Sequence, residues 1–567
     1  MTPYKHYPQR PARLTPEFVQ AEFAPVVDAL PAADLAADGS AWLDAISRWN
    51  ALRAYLEGER ARLGFALSKN CLDEKLEEDD RYFREHIQPV QEEGDSRFFS
   101  ALARTPHRGD IAAKYGKYFL DRMAAGQPTV ESVNSALRVQ IGELGQQHSK
   151  AIASGEVQVA GEKMTLTRAA SIAAGAGDTA LRREAYTAYR GWFDANRSML
   201  ADLFSRMVRL RDEMGRNLGH ANFIALGYAG MQRTDYGPPE SAEFRRGVRE
   251  HFVPLNRKLI ARQAKEMGGD RLKPWDMGYH TSLGIPLGAV PVEGQLDAAH
   301  RVFSKLSPRL AAHFDRMRGD GLIDLANRKG KRGGAFCTTF PDEGRVAIFC
   351  NSTGQADDVR TLMHEMGHAF QASESQAIEL IELQWPTADA AEIHSMGMEF
   401  LSLKHIGEFF PASDHAERFR KKLWIGAVEL ICYICVVDEF QHWVYENPAA
   451  SEAERDAQWD RSWETYIPGL DFAGIEAYRS ARWYAQPHIF RMPFYYIDYA
   501  IAEMGAMQLA VMDKKDPARA LETYIELCRI GGTRGVLDIF KAAGLRSPFD
   551  AGVMGDIAAH AAQECGV

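Results

Sequence analysis

Apolar residues recur at helical spacing from about residue 15 to about residue 265, and again from Asp357 almost to the carboxy terminus. A chain of 567 residues patterned this way over most of its length leaves little room for a sheet, so the expected fold class is mainly α and multi-helical. The stretch ADLFSRMVRLRDEMGRNLG (201–219) shows the pattern: Leu203, Met207 and Leu210 fall along one stripe and Gly219 offers a stop. Two segments break it. Gly and Pro cluster from Gly268 to Gly294, which predicts an irregular connector. Ala335–Phe340 and Arg345–Cys350 are β-prone runs around Pro341-Asp342-Glu343-Gly344, a turn composition that predicts a hairpin. We expect an amino-terminal helical region over 1–200 and a second region over 201–567 that contains the connector at about 268–294.

Composition narrows the partners. Lys and Arg number 67 against 77 Asp and Glu, a formal charge of −10, whereas phosphate binding needs a surplus of cations, so no nucleic-acid partner is expected. The opening MTPYKHYPQRPARLTP has no apolar core and does not read as a signal peptide. The most apolar run, Trp424 to Val437, is interrupted by Glu429 and falls short of the roughly 20 residues a spanning helix needs, so no membrane partner is expected either. Seven cysteines in so long a chain argue against a disulfide framework and for a reducing, cytoplasmic location. Cys432 and Cys435 have CxxC spacing, but they lie in an apolar helical run with no second pair and read as buried helix residues.

The string TLMHEMGHAF carries chemistry. His364 and His368 stand four apart and share a helix face, so both imidazoles can reach one tetrahedral Zn²⁺, while Glu365 points at the adjacent metal-bound water. Composition alone would produce H-E-x-x-H in roughly 3–4% of chains this long, which makes the match strong without being decisive. A hydrolytic zinc site needs a third protein ligand. An extended motif with Gly at 371 and His at 374 is ruled out, because those positions hold Gln371 and Glu374. The downstream carboxylates are Glu374, Glu379, Glu382, Glu392 and Glu399. After Trp385-Pro386 a new helix can be capped by Thr387 or Asp389, which places Glu392 in its first turns and Glu399 two turns later on the same face. Glu392 is the expected third ligand, and Glu399 the expected acceptor of an N–H from a ligand histidine. His394 falls on another face and reads as structural.

HEMGH followed by EIHSMGME resembles the M3 family of zinc metallopeptidases, the thimet oligopeptidase and oligoendopeptidase F group. LGHANFIALGYAGMQRTDY (218–236), PWD (274–276), DLANRKGKRGGAFCT (324–338) and HIFRMPFYYIDYA (488–500) are similar to stretches of its bacterial oligoendopeptidase branch. The resemblance implies that the glutamate opening the E-x-x-S segment, Glu392 with Ser395, is the third zinc ligand. It also implies one Zn²⁺ per chain, a catalytic zinc metallopeptidase region over 201–567, and two helical halves around a deep substrate channel with a small β-sheet beside the HExxH helix. The function it implies is zinc-dependent hydrolysis of internal bonds in short unfolded oligopeptides, by attack of a zinc-bound water with Glu365 as general base. It assigns His488 and the tyrosines of its segment, Tyr495, Tyr496 and Tyr499, to substrate and transition-state binding. Pro493 is expected to open the helix that carries them. If Arg345–Cys350 is an edge strand, an extended peptide can add to it through main-chain hydrogen bonds. A helical zinc carboxypeptidase or peptidyl-dipeptidase shares the same site, and an inactive peptide-binding scaffold would keep the fold without turnover.

Overall fold

The computed structural model describes residues 11, 13–130, 132–280, 290–410 and 412–567. Most of the amino-terminal segment (1–10 and 12) and 281–289 of the Gly/Pro-rich connector lie outside them. Most described residues are helical, and the five strands form two small sheets. β1 (Glu156–Val159) and β2 (Glu162–Thr165) are an antiparallel pair. β3 (Ile323–Ala326), β4 (Phe336–Phe340) and β5 (Arg345–Ser352) make a sheet in the order β3-β5-β4. The chain divides into two compact units, each assembled from three separate segments.

The first unit comprises 1–127, 289–411 and 505–545. Its amino-terminal core gathers Trp42, Trp49 and Phe98, with Trp49 stacked on Phe98 at 4.8 Å between ring centroids. The predicted hairpin is present: β4 and β5 pair antiparallel from Phe336↔Phe349 to Phe340↔Arg345 around the Pro341–Gly344 turn. β5 is not an edge strand, however. β3 pairs parallel to it on the other side, so β5 is central and β4 takes one edge. The reason is readable in β5 itself, where Val346 to Cys350 is an unbroken buried run rather than an alternating one, as expected of a strand covered on both faces. One face meets the Ser40–Lys69 helix through Phe65, Phe340, Ala347 and Phe349, and the Ala356–Glu374 helix packs against the same sheet.

The second unit comprises 128–288, 412–504 and 546–567. The Pro238–Glu266, Ser413–Glu446 and Ala551–Cys565 helices pack together in it. The Arg197–Asn217 helix buries Leu203 and Met207 and stops as expected, Gly219 taking a positive φ of 81°. Cys432 and Cys435 are buried in the Ser413–Glu446 helix, and all seven cysteines are free. The buried arginines Arg182, Arg233 and Arg245 are each matched by a buried aspartate: Asp276, Asp498 and Asp438. Among the described residues no helix is long and apolar enough to cross a membrane.

Candidate metal centre

Two helices of the first unit supply the centre. The Ala356–Glu374 helix opens on a capping box in which the Asp358 carboxylate accepts from the backbone N–H groups of Thr353, Gly354 and Gln355 at 2.7–2.8 Å. The Ala388–Ser402 helix starts after Thr387, whose hydroxyl donates to the Asp389 carboxylate at 2.6 Å. The two helices lie close because Gly367 offers no side chain at the crossing: a Cβ there would stand 2.4 Å from the His394 carbonyl oxygen. Tyr524 pins the crossing from a third helix (Pro517–Ile530), its hydroxyl donating to the His394 carbonyl at 3.0 Å and reaching that of Gly367 at 3.3 Å.

At this crossing His364, His368 and Glu392 come together, with one ligand atom from each lying within 4.8 Å of the others. Glu392 Oε2 is 3.3 Å from His364 Nε2 and 3.5 Å from His368 Nε2. Ligands about 2.0–2.1 Å from a tetrahedral Zn²⁺ are separated by about 3.4 Å, which the two Glu392 distances match. Ser395 donates to Glu392 Oε2 at 2.8 Å and fixes the carboxylate. His364 Nδ1 lies 2.7 Å from Glu399 Oε1, and since a carboxylate only accepts, the proton sits on Nδ1 and leaves Nε2 toward the ligand set. Arg360 holds the other Glu399 oxygen at 2.6 Å. Burial disfavours ionisation of Glu392, but hydrogen bonds from His364 and His368 outweigh it and hold its carboxyl well below the usual range. Burial also opposes a proton on His364, yet Glu392 and Glu399 raise its pKa to about 10.

Glu365, on the same turn as His364, is 6% exposed, and its Oε2 has no hydrogen-bond partner among the described residues. Burial pushes its pKa upward, partly offset by the two histidines. A buried carboxylate oxygen without a partner beside two imidazoles is the setting in which a proton acceptor for water is expected. β4 packs against the helix that carries Glu365, and burial, with a smaller contribution from Glu365, raises the Cys337 thiol. Next to it a pocket of about 250 Å³ is lined by residues including Thr339, Pro341, Ala372 and Trp385, and the Trp385 ring lies 5.7 Å from that of His368.

The other candidate carboxylates have different partners. Glu374 binds Arg309, His313 and Arg529; Glu379 accepts from Tyr115, and Glu382 from Arg53. His394 is fully buried. Arg360 was missed by motif reading although it stands four residues before His364, on the same helical face, and spacing alone could have raised it.

His488 and the tyrosines form a cluster in the second unit. Tyr495 donates to Tyr499 across 3.2 Å, and the His488 ring is 4.7 Å from Tyr496 and 5.8 Å from Tyr495. Gln486 donates its amide N–H to His488 Nδ1 at 2.7 Å, so the His488 proton sits on Nε2, and burial lowers the pKa of the ring. Pro493 does not open the following helix, which starts at Ile497. Phe494 takes a positive φ of 67°, incompatible with a helical turn, and is held there by Gln441 on its N–H and Arg233 on its carbonyl.

Comparison with known proteins gives the chain its relatives. Residues 299–558 match the model of peptidase family M3, and residues 12–130 match the peptidase M3 N-terminal domain. The chain is 22% identical to oligopeptidase PepF of Bacillus subtilis over 305 residues and 22% identical to an oligoendopeptidase F homolog of Borreliella burgdorferi over 280. These alignments take in 52% and 47% of this chain but only 44% and 46% of those relatives. The solved structure of Pz peptidase A with an inhibitor superposes with a TM-score of 0.88 at 30% identity, covering 99% of both chains. Oligoendopeptidase-F from Enterococcus faecium shares the fold, with a TM-score of 0.64 at 14% identity over 97% of both chains.

Proposed function

The chain belongs to peptidase family M3, and on that footing we propose that it is a zinc-dependent endopeptidase cleaving internal bonds of short unfolded oligopeptides. The observation that carries this reading is the convergence of His364, His368 and Glu392 within 4.8 Å, beside a Glu365 carboxylate whose buried Oε2 has no hydrogen-bond partner among the described residues. These three residues would hold one zinc ion. When bound, zinc supplies Lewis acidity that polarises a carbonyl and makes water easier to deprotonate.

The chain's own residues do the rest. Glu365, whose affinity for a proton is raised by burial, takes the proton of the attacking water and passes it to the departing amine. Glu399 and Arg360 hold His364 in its ligating tautomer. An extended peptide adds to β4, which has a free edge among the described strands, rather than to the central β5, and the pocket beside Trp385 takes a substrate side chain. His488, through its Nε2–H, and the hydroxyls of Tyr495, Tyr496 and Tyr499 are assigned to substrate and transition-state contacts. Free cysteines throughout support a cytoplasmic site of action.

Metal analysis coupled to an internally quenched peptide, blocked at its amino end and amidated at its carboxy end, tests the reading. We expect one zinc per chain, internal cleavage, loss of cleavage with a chelator and recovery with zinc. Undiminished cleavage after complete metal removal would overturn it, and failure on the doubly blocked peptide with cleavage of its free-acid form would favour the carboxypeptidase reading.

A further inference from the structure

Arginines that are at least partly buried in the second unit mostly face carboxylates, or, like Arg211 and Arg455, donate to hydroxyl and backbone carbonyl oxygens. Arg182 meets Asp276, Arg197 meets Asp194 and Asp456, and Arg479 meets Asp460 and Glu464. Arg190 and Arg482 have neither kind of partner among the described residues. Neither makes an ion pair among the described residues, and Arg190 Nε and Nη1 and Arg482 Nε are buried atoms without a hydrogen-bond partner there. The two arginines stand on helices that pack against each other, Thr179–Ala195 and Ala477–Tyr484, and Arg482 disfavours the charge on Arg190. Instead of anions they have aromatic walls. The Arg190 guanidinium carbon is 4.8 Å from the Tyr189 ring centre, and that of Arg482 is 4.5 Å from Trp463 and 5.9 Å from Tyr433. Aromatic faces hold a guanidinium flat but neutralise it poorly, and two adjacent half-buried cations without a counter-ion are costly unless a ligand provides one.

The pair shares this setting with the His488 cluster. Tyr433, which faces the Arg482 guanidinium, donates to Gln486 Oε1 at 3.0 Å, Gln486 donates to His488, and the Tyr433 ring lies 6.0 Å from that of Tyr496. We infer that Arg190 and Arg482 form a recognition site for a carboxylate of the peptide substrate, reading it through planar, paired N–H donors. This rests on the peptidase reading above, because a peptide brings only two kinds of carboxylate: its carboxy terminus and its Asp or Glu side chains. The paired fork geometry suits either, and a lysine in either place would supply charge without it.

The test uses three internally quenched peptides of one sequence: one with a free carboxy terminus and an acidic side chain, one amidated at the terminus, and one with the acidic residue replaced by its amide. For the wild type, the neutralised form with the raised KM identifies which carboxylate is read. Arg482→Gln is expected to raise KM roughly tenfold for the peptide carrying that carboxylate, with kcat little changed and with no effect on its neutral counterpart. Arg482→Lys should recover only part of the loss, and Arg190→Gln should reproduce it wherever circular dichroism shows a folded chain. Equal KM changes for charged and neutral peptides, or none for either, overturn the inference. Fluorescence anisotropy of the same peptides on Glu365→Gln and on the Glu365→Gln/Arg482→Gln double variant separates the two proposals. If the wild type cleaves nothing, the peptidase reading falls, while loss of preferential binding of the charged peptide on removing Arg482 still upholds the carboxylate site, and equal binding of charged and neutral peptides sinks it.

Discussion

Gly367 and His394 meet where the two helices of the metal centre cross, so tightly that a Cβ on Gly367 would lie 2.4 Å from the His394 carbonyl oxygen and 2.6 Å from Cα of Ser395. Both are backbone atoms and cannot swing aside. The glycine inside HEMGH therefore sets the distance between His364 and His368 on one helix and Glu392 on the other, the three proposed ligands. Gly367→Ala is expected to push the helices apart, costing about 1–3 kcal/mol of stability and weakening zinc binding at least tenfold. Urea denaturation and zinc competition against a chelating dye check both effects, and unchanged zinc affinity would mean that the crossing does not control the site.

Glu365 and His368 separate chemistry from metal retention. Glu365→Gln removes the proposed proton acceptor and leaves the three proposed ligands, so zinc content should stay at one per chain while kcat/KM falls about 10²–10⁴-fold. His368→Ala removes a ligand 3.5 Å from Glu392 Oε2 and should lose zinc and activity together. Metal analysis and peptide kinetics on the same preparations read this out. Full activity in Glu365→Gln would refute its role as the base.

How much of this could be read from the residues depends on whether the information is local. His364, Glu365 and His368 are fixed by spacing on one helix. Glu392 followed from a proline break and a cap only a few residues upstream, and the β4–β5 hairpin followed from a turn. What escaped depends on distant contacts. β5 became central because β3, more than twenty residues earlier, pairs with it. Pro493 failed to open a helix because Gln441 and Arg233, far away in the chain, hold Phe494 at positive φ. Segment 505–545 joins the first unit through contacts such as Gly505 against Ile393 and Tyr524 beneath Gly367, which no periodicity reveals. Residues 12–130 were legible as helices but not as part of the family, since amphipathic helices bear no chemistry of their own.

Glu399 tests the positioning of His364. Its carboxylate accepts a hydrogen bond from Nδ1–H at 2.7 Å and is itself held by Arg360 at 2.6 Å. Glu399→Gln preserves shape but removes the charge, and zinc affinity should drop about 10–100-fold with the metal still bound at saturating concentration. Competition titration measures it. An unchanged dissociation constant would show that the helix crossing alone orients the imidazole.

Glu374 gives a pH dependence that does not involve the metal. Its buried carboxylate accepts from Arg309 at 2.6 Å, from His313 at 2.9 Å and from Arg529 at 3.2 Å, tying the end of the HEMGH helix to two other helices of the same unit. Burial opposes its charge, but hydrogen bonds from His313 and Arg309 prevail and bring its pKa down to about 2 from an ordinary 4.5. A carboxylate whose folded pKa is depressed stabilises the fold fully above its unfolded pKa, and that contribution is lost as pH falls through the folded value. The stabilisation should therefore be complete above about pH 5 and fade between about pH 4.5 and pH 2. Because Arg309 and Arg529 are half exposed, solvent screening reduces the expected contribution to roughly 1–2 kcal/mol. Glu374→Gln should lower the melting temperature at pH 7 and flatten its fall between pH 5 and pH 3. A parallel fall in variant and wild type would show that other carboxylates govern acid unfolding.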